Sequence, residues 1–235
     1  ELKQMGSGSV TNRGEIVGIA VAVEGWSGYY PIAHAGGGNM DKARVLNWFK
    51  DVLNTPAIKI FHNAMYDVCW IRSIGLKING TIVDTMIAGS LVDENRYRYD
   101  LGSMGRDYVG KGKSEAVLKE TANLWGIDAK SEMYKLPAMY VGEYAERDAV
   151  VTLDLWQRMK QEIQHQDIQS IFDLETELFP CLVDMRFLGV RVNLEAANEL
   201  KNKLSSEEKE CLQKVKIETG VDTQIWAARS IAQVF

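Results

Sequence analysis

A β-branched and almost unbroken apolar run from Gly14 to Glu24 constrains the fold of this chain more than any other feature. Residues 25–28 contain two glycines, and a second apolar segment over residues 29–33 follows them. This pattern is typical of a hairpin of buried strands. The uninterrupted apolar stretch within the run, Ile16–Val23, is eight residues long. A bilayer-spanning helix needs about 18, so we expect no membrane segment and no membrane partner.

Strand-like and helix-like segments alternate through the following part of the chain. Short apolar segments at residues 57–61 and 81–83 predict strands, and Asn63 and Asp84 can cap the helices that follow them. Asn39, after a cluster of three glycines, can cap another helix. Strands alternating with helices predict a layered α/β domain.

The character of the sequence changes near residue 166. A long helix from Glu143 to about His165 precedes this point, and beyond it the strand patterns stop. Two further helices are predicted there, and Asn193 caps the second of them. We therefore expect a domain boundary near residue 166, with a helical second part that is incomplete.

Composition excludes several classes of protein. The formal net charge of −5 disfavours a protein that wraps duplex DNA with a dominant basic surface. Three cysteines without a Cys-x-x-Cys pair favour a reducing, cytoplasmic compartment. The three histidines lack the spacing of a local zinc motif. None of this excludes a carboxylate-lined site that takes a nucleic-acid end through metal ions.

Two glycine-rich segments invite a phosphate-loop interpretation. The segment from Gly105 to Lys111 matches the start of a Walker A loop, but Gly112 stands where a Ser or Thr must bind magnesium. The cluster Gly36-Gly37-Gly38 lacks the third glycine of a dinucleotide fingerprint, and we interpret it as a flexible connection.

Two four-residue spacings place polar side chains on shared helix faces. Asn63 and Asp67 follow a predicted strand, and ligands favour the carboxyl edge of an α/β sheet. Capping by Asn63 and the attraction of Asp67 to the helix dipole would also explain this pair. Tyr144 and Asp148 have the same spacing, and Asp148 lies where its helix becomes apolar, so its carboxylate needs a cation or hydrogen bonds.

These residue types suit phosphodiester hydrolysis by two metal ions. Magnesium and manganese prefer carboxylate oxygens, and two ions about 3.5–4 Å apart stabilise both the attacking and the leaving oxygen. A nearby phenol can orient the attacking water. Asp67, Asp148 and Tyr144 could fill these roles.

Both segments resemble motifs of a known family. His62-Asn63-Ala64-Met65-Tyr66-Asp67 is similar to the second, and Tyr144-Ala145-Glu146-Arg147-Asp148-Ala149 to the third, motif of the 3′–5′ proofreading exonuclease domain of family A, Pol I-like, DNA polymerases, in the DEDDy group. Asp84-Thr85-Met86 lies between them, as in the family, and residues 174–193 resemble the link to the polymerase domain. The resemblance covers essentially the whole chain. It implies an α/β, ribonuclease H-like (DnaQ-like) exonuclease domain over residues 1–165, with a mixed sheet flanked by helices, followed by the helical beginning of a polymerase thumb over residues 166–235.

The resemblance also implies roles for individual residues. Asp67 and Asp148 would bind Mg²⁺ or Mn²⁺, two ions in the complete site, and Tyr144 would position the attacking water. The resemblance implies contacts of His62, Asn63 and Tyr66 with the 3′-terminal nucleotides. The family's first motif, Asp-x-Glu, has no counterpart in residues 1–13, although Glu1 is a candidate for its last acid. We therefore expect this chain alone to lack a central strand and to be a weak nuclease.

The implied function is removal of 3′-terminal nucleotides from DNA during replication. The partners would be the 3′ end of single-stranded DNA or a primer-template and the remainder of the polymerase chain, in the cytoplasm of a bacterium or of a phage-infected host. Two alternatives remain open. One is a non-catalytic module that binds single-stranded DNA or braces the polymerase, and the other is a ribonuclease D-like RNA exonuclease.

Overall fold

The computed structural model describes residues 8–112 and 116–235 of the chain. Within these ranges, two short 3₁₀ helices, Met133–Lys135 and Ala138–Tyr140, lie just before the α-helix that begins at Gly142. The strands and helices in chain order are α1 (Gly8–Thr11), β1 (Gly18–Val23), β2 (Trp26–Pro31), α2 (Lys42–Asn54), β3 (Lys59–Phe61), α3 (Ala64–Ser73), β4 (Ile82–Asp84), α4 (Thr85–Val92), α5 (Leu101–Val109), α6 (Ala116–Leu124), α7 (Gly142–His165), α8 (Gln169–Leu188), α9 (Leu194–Thr219) and α10 (Ala228–Ile231).

Strands β1 and β2 form the predicted antiparallel hairpin. Gly18 pairs with Pro31 at the open end and Val23 with Trp26 at the turn. The turn is only two residues long and contains Gly25 at φ +79°, a conformation that glycine adopts without a steric penalty. The tight turn extends β2 towards its N-terminus, so residues 26–28, which we expected in the turn, belong to the strand.

Strands β3 and β4 run parallel, and Phe61 pairs with Asp84 at their carboxyl ends. Helix α3 begins just after β3, and helix α4 begins directly after β4. The two strand-to-helix junctions therefore lie side by side at one edge of this pair, which is the edge where α/β proteins bind ligands. The described residues thus contain one antiparallel and one parallel strand pair.

Helix α7 organises the core of the first compact unit. It packs against both hairpin strands, β3, α4 and α5. Its buried side chains Val151 and Leu155 join the core cluster that contains Val83 of β4. The first compact unit extends to Leu188, and the second comprises Gly189–Phe235. The boundary near residue 166 stays a prediction, and helix α8 packs within the first unit, where Phe172 contacts the core cluster of α7.

One local expectation is wrong. Asn39 does not cap α2, because its side chain is bonded to the backbone of His34 through both the N–H and the carbonyl, and Asp41 caps the helix instead. The flexibility of the glycine cluster stays a prediction, although one of its residues lies close to another segment. A Cβ on Gly36 would lie 2.4 Å from the backbone nitrogen of Pro137. In the described residues no helix is long and apolar enough to cross a membrane.

Candidate active site

The carboxylate of Asp84 joins the two strand-to-helix junctions. It accepts hydrogen bonds from the backbone N–H groups of Asn63 at 2.9 Å and of Ala64 at 2.7 Å, across 20 residues of sequence or more. It also accepts from the N–H of Met86 at 2.8 Å, which is the predicted cap of α4. One buried side chain therefore satisfies donors at the N-termini of both helices and holds the two junctions in register.

Asn63 occupies the N-cap position of α3, as predicted, but its side chain makes no capping hydrogen bond. The physical reason is its left-handed backbone, with φ 63° and ψ 54°. A side-chain cap requires an extended residue at this position, and Asp84 takes over the orphan N–H groups. The prediction of a side-chain cap is therefore wrong, and the amide of this exposed residue is not used by its own helix.

Asp67 lies in the first turn of α3. The residue is exposed, yet its carboxyl group is partly desolvated. This desolvation, together with the negative charge of nearby Asp84, raises the pKa of Asp67 to about 6. A positive charge and a backbone hydrogen bond oppose this rise but do not cancel it, so the ionised form is still disfavoured.

His62 and Tyr66 flank Asn63 and are partly buried. Nδ1 of His62 lies 2.9 Å from the hydroxyl of Thr85, and that hydroxyl donates to the carbonyl of Phe61 at 3.1 Å. The His62 ring thereby ties the end of β3 to the start of α4. Tyr66 packs against the core cluster beneath the hairpin. Contacts of either residue with nucleotides stay a prediction.

Tyr144 and Asp148 lie in the first two turns of α7, one helical turn apart as predicted. Both are partly buried, and the Oδ1 atom of Asp148 is shielded from solvent. Helix α7 packs against β3, and the segment from His62 to Asp67 follows that strand directly. The hydroxyl of Ser27 in β2 donates to the Glu146 carboxylate at 3.1 Å, so α7 is also attached to the hairpin beside this point.

The carboxylates suit a hard divalent cation by chemistry, but the described ranges contain no group of three or more His, Cys, Asp or Glu side chains that could hold a metal ion. Asp67 and Asp148 are the predicted ligands among the described residues. Glu1, the third candidate, lies outside the described residues. The assignment of ligands therefore stays a prediction.

Two features of this region escaped prediction from the sequence. Asp84 was expected to cap α4 alone, and nothing local signals its bonds to α3. The bond between Ser27 and Glu146 joins residues that are 119 positions apart. Only the packing of α7 on the hairpin brings these side chains together.

Comparisons with known proteins agree with the motifs. A sequence model of the 3′–5′ exonuclease family matches residues 3–164. The DNA-directed DNA polymerase of Pseudomonas phage M6 is 32% identical over 230 residues, which cover 94% of this chain and 34% of the phage protein. The chain spans about a third of the length of the curated relatives it matches.

Solved structures show a related fold. The polymerase domain of Pol1 from M. smegmatis, in complex with DNA primer-template and dNTP, superposes with a TM-score of 0.63 at 16% identity, over 94% of this chain and 34% of that one. Brucella melitensis NrnC gives 0.58 at 14% identity, over 80% of this chain and 82% of that one. These likenesses confirm the expected α/β, ribonuclease H-like fold. The sequence match over residues 3–164 establishes that the chain belongs to the 3′–5′ exonuclease domain family of the family A DNA polymerases.

Proposed function

We propose that this domain removes nucleotides from the 3′ end of single-stranded DNA and that Asp67 and Asp148 bind the divalent cations it uses. The proposal depends on the raised pKa of Asp67, whose carboxyl group lies near the negative charge of Asp84. Desolvation of its carboxyl group, with a smaller contribution from the negative charge of Asp84, raises the pKa of Asp67 to about 6. A bound cation would favour the ionised carboxylate, because it adds positive charge beside an oxygen that is incompletely hydrated.

The position of Asp148 supports the same assignment. Its helix packs against β3, and α3 with Asp67 follows that strand. Carboxylate oxygens from two packed elements are ligands that Mg²⁺ and Mn²⁺ prefer. Such ions, two in the complete site, would stabilise the charge on the attacking and leaving oxygens of phosphodiester hydrolysis.

Other residues have roles that require no metal contact. The Tyr144 phenol, one turn before Asp148 on α7, would orient the attacking water through a hydrogen bond. Asn63 is exposed and its amide does not cap α3, so the amide is available to a terminal nucleotide. His62 and Tyr66 would shape the same subsite from either side of Asn63.

A proposal for the whole protein is supported by its relatives, which are about three times longer than this chain. We propose that the domain proofreads during DNA replication, with the remainder of a polymerase chain as its partner and a primer-template as the shared substrate. The place of action would be the cytoplasm of a bacterium or of a phage-infected host.

The test compares carboxylate variants on 5′-labelled single-stranded DNA with magnesium. The full-length protein should shorten the DNA from its 3′ end, and Asp67→Asn and Asp148→Asn should each reduce the rate by at least about 100-fold, because a metal site loses a charged ligand. Asp154→Asn is the matched control. It makes the same chemical change on α7 but, among the described residues, removes a partly exposed ion pair with Lys111 and no other contact of the carboxylate, so the rate should stay unchanged.

The outcomes separate the alternatives. Binding of the DNA without shortening by the unaltered protein would favour the non-catalytic module. Faster digestion of an RNA of the same sequence would favour the ribonuclease D-like alternative. Equal rates for Asp148→Asn and Asp154→Asn would show that the ligands are assigned wrongly.

A further inference from the structure

A buried hydrogen-bond chain runs from the hairpin to the segment before α7. His34 is buried, with 3% of its surface exposed. Its Nδ1 lies 2.9 Å from the carbonyl oxygen of Leu136, and its Nε2 lies 2.6 Å from the hydroxyl of Tyr29. A carbonyl can only accept, so Nδ1 carries the proton, and in the neutral ring Nε2 accepts from the Tyr29 hydroxyl. Burial lowers the pKa of His34, which favours this neutral ring.

This hydrogen-bond chain links two segments, the loop after β2 and residues 134–138, which are also joined by backbone hydrogen bonds. The N–H of Ala35 donates to the carbonyl of Tyr134 at 2.8 Å, and the N–H of Ala138 donates to the carbonyl of Gly37 at 3.1 Å. The absence of a side chain on Gly36 permits this approach to Pro137. The loop after β2 is thus attached to residues 134–138, which lie just before the start of α7 at Gly142.

The Tyr29 ring is held against the start of α7. A Cβ on Gly18 would lie 2.1 Å from the Tyr29 hydroxyl oxygen, so this glycine provides the space for the phenol. On α7, Cδ1 of Tyr29 lies 3.6 Å from the position that a Cβ on Gly142 would take. Tyr29 and Tyr144 both pack against the cluster of Leu118, Leu136 and Val141.

We infer that Tyr29 and His34 are positioning residues for the exonuclease reaction, because their hydrogen-bond chain to the Leu136 carbonyl sets the first turn of α7 and with it the Tyr144 phenol. This inference rests on the proposed function of Tyr144. Neither residue contacts the reacting atoms. Their effect is on the alignment of the water that Tyr144 orients, and a displacement of about 1 Å in such a group costs up to 100-fold in rate.

The test uses variants that each remove one of the two hydrogen bonds, Tyr29 to His34 or His34 to Leu136. Tyr29→Phe removes only the hydroxyl. His34→Asn retains an N–H near the Nδ1 position and loses the acceptor for Tyr29, whereas His34→Gln retains an acceptor near Nε2 and loses the donor to Leu136. Tyr30→Phe is the matched control. It removes a hydroxyl from the next residue of β2, whose ring packs against Trp48 in a tilted arrangement with centroids 4.1 Å apart.

In the full-length protein, Tyr29→Phe should lower kcat for single-stranded DNA by roughly 10-fold, within the range for small misalignments, and leave KM within twofold. The double variant Tyr29→Phe/His34→Asn should be no slower than the slower of its two components, because both substitutions break the same bond. Amide hydrogen exchange should quicken in residues 142–146 and stay unchanged in α4. Tyr30→Phe should match the unaltered protein in every measurement.

Three results would overturn the inference. A kcat for Tyr29→Phe within twofold of Tyr30→Phe would show that the chain does not affect the reaction. Multiplicative losses in the double variant would show two independent structural effects. Unchanged exchange in residues 142–146 would show that the first turn of α7 does not depend on the chain. Full activity of Asp148→Asn would instead refute the proposed function, so the two failures are distinguishable.

Discussion

Replacing Asp84 should destabilise two helices at once. The carboxylate is buried, with 7% of the residue exposed, and accepts from the N–H groups of Asn63, Ala64 and Met86. In Asp84→Ala all three donors lose this acceptor. Asn63 is exposed, so water can replace the bond to its N–H. Ala64 is fully buried, so its N–H is left without a partner.

The magnitude follows from these contacts. Loss of the α4 cap costs about 1 kcal/mol, and an unsatisfied buried donor at Ala64 costs about 2 kcal/mol. Asp84→Ala should therefore reduce the free energy of unfolding by about 3 kcal/mol. The matched control is Asp41→Ala, which removes an exposed cap whose side chain, within the part of the chain that the structure describes, bonds to the N–H of Arg44 alone at 2.7 Å. That substitution should cost about 1 kcal/mol.

Urea unfolding followed by circular dichroism measures both free energies. In a thermal scan of a domain of this size, the midpoint should fall by roughly 6–12 °C for Asp84→Ala and by roughly 2–4 °C for Asp41→Ala. Asp84→Asn should be intermediate, because the amide retains one oxygen but places an N–H₂ group opposite one of the donors. Equal losses for Asp84→Ala and Asp41→Ala would refute the double-cap account, since each would then support one helix only.

Two further predictions concern the proposed site. In the metal-free protein, a carbon-13 titration of the Asp67 carboxyl group should show a midpoint near 6. Because the folded pKa exceeds the usual 3.8, the stability that this group contributes is complete below about pH 4 and is lost as the pH rises through 6. Asp67→Asn should therefore gain stability relative to the unaltered protein between pH 5 and 7, and a midpoint near 4 would contradict the desolvation of Asp67. On the full-length protein with saturating magnesium, Tyr144→Phe should slow DNA hydrolysis less than Asp148→Ala, because only the orientation of water is impaired. Equal losses would show that the roles of Tyr144 and Asp148 are assigned wrongly.

Much of the secondary structure could be predicted because its signals are local. The β-branched run predicted β1, and the three-to-four-residue apolar spacing predicted α7, which ends at His165 as expected. Asp84 and Asn193 cap the helices that follow them, because a cap depends on donors only two or three residues away. The motif residues Asp67 and Asp148 could be selected for the same reason, since each shares a helix face with a second polar residue.

Only the tertiary structure decided how these pieces support one another. The bonds from Asp84 to the start of α3 span 20 residues or more, and the bond from His34 to Leu136 spans 102. Such contacts depend on which elements pack together, and no spacing within one helix or strand encodes that choice. The same holds for Asn63, whose left-handed backbone is compatible with a helix start because a distant carboxylate binds the N–H groups. Local pattern thus determined most elements and the caps at Asp84 and Asn193, whereas packing determined which side chains hold the predicted site residues in place.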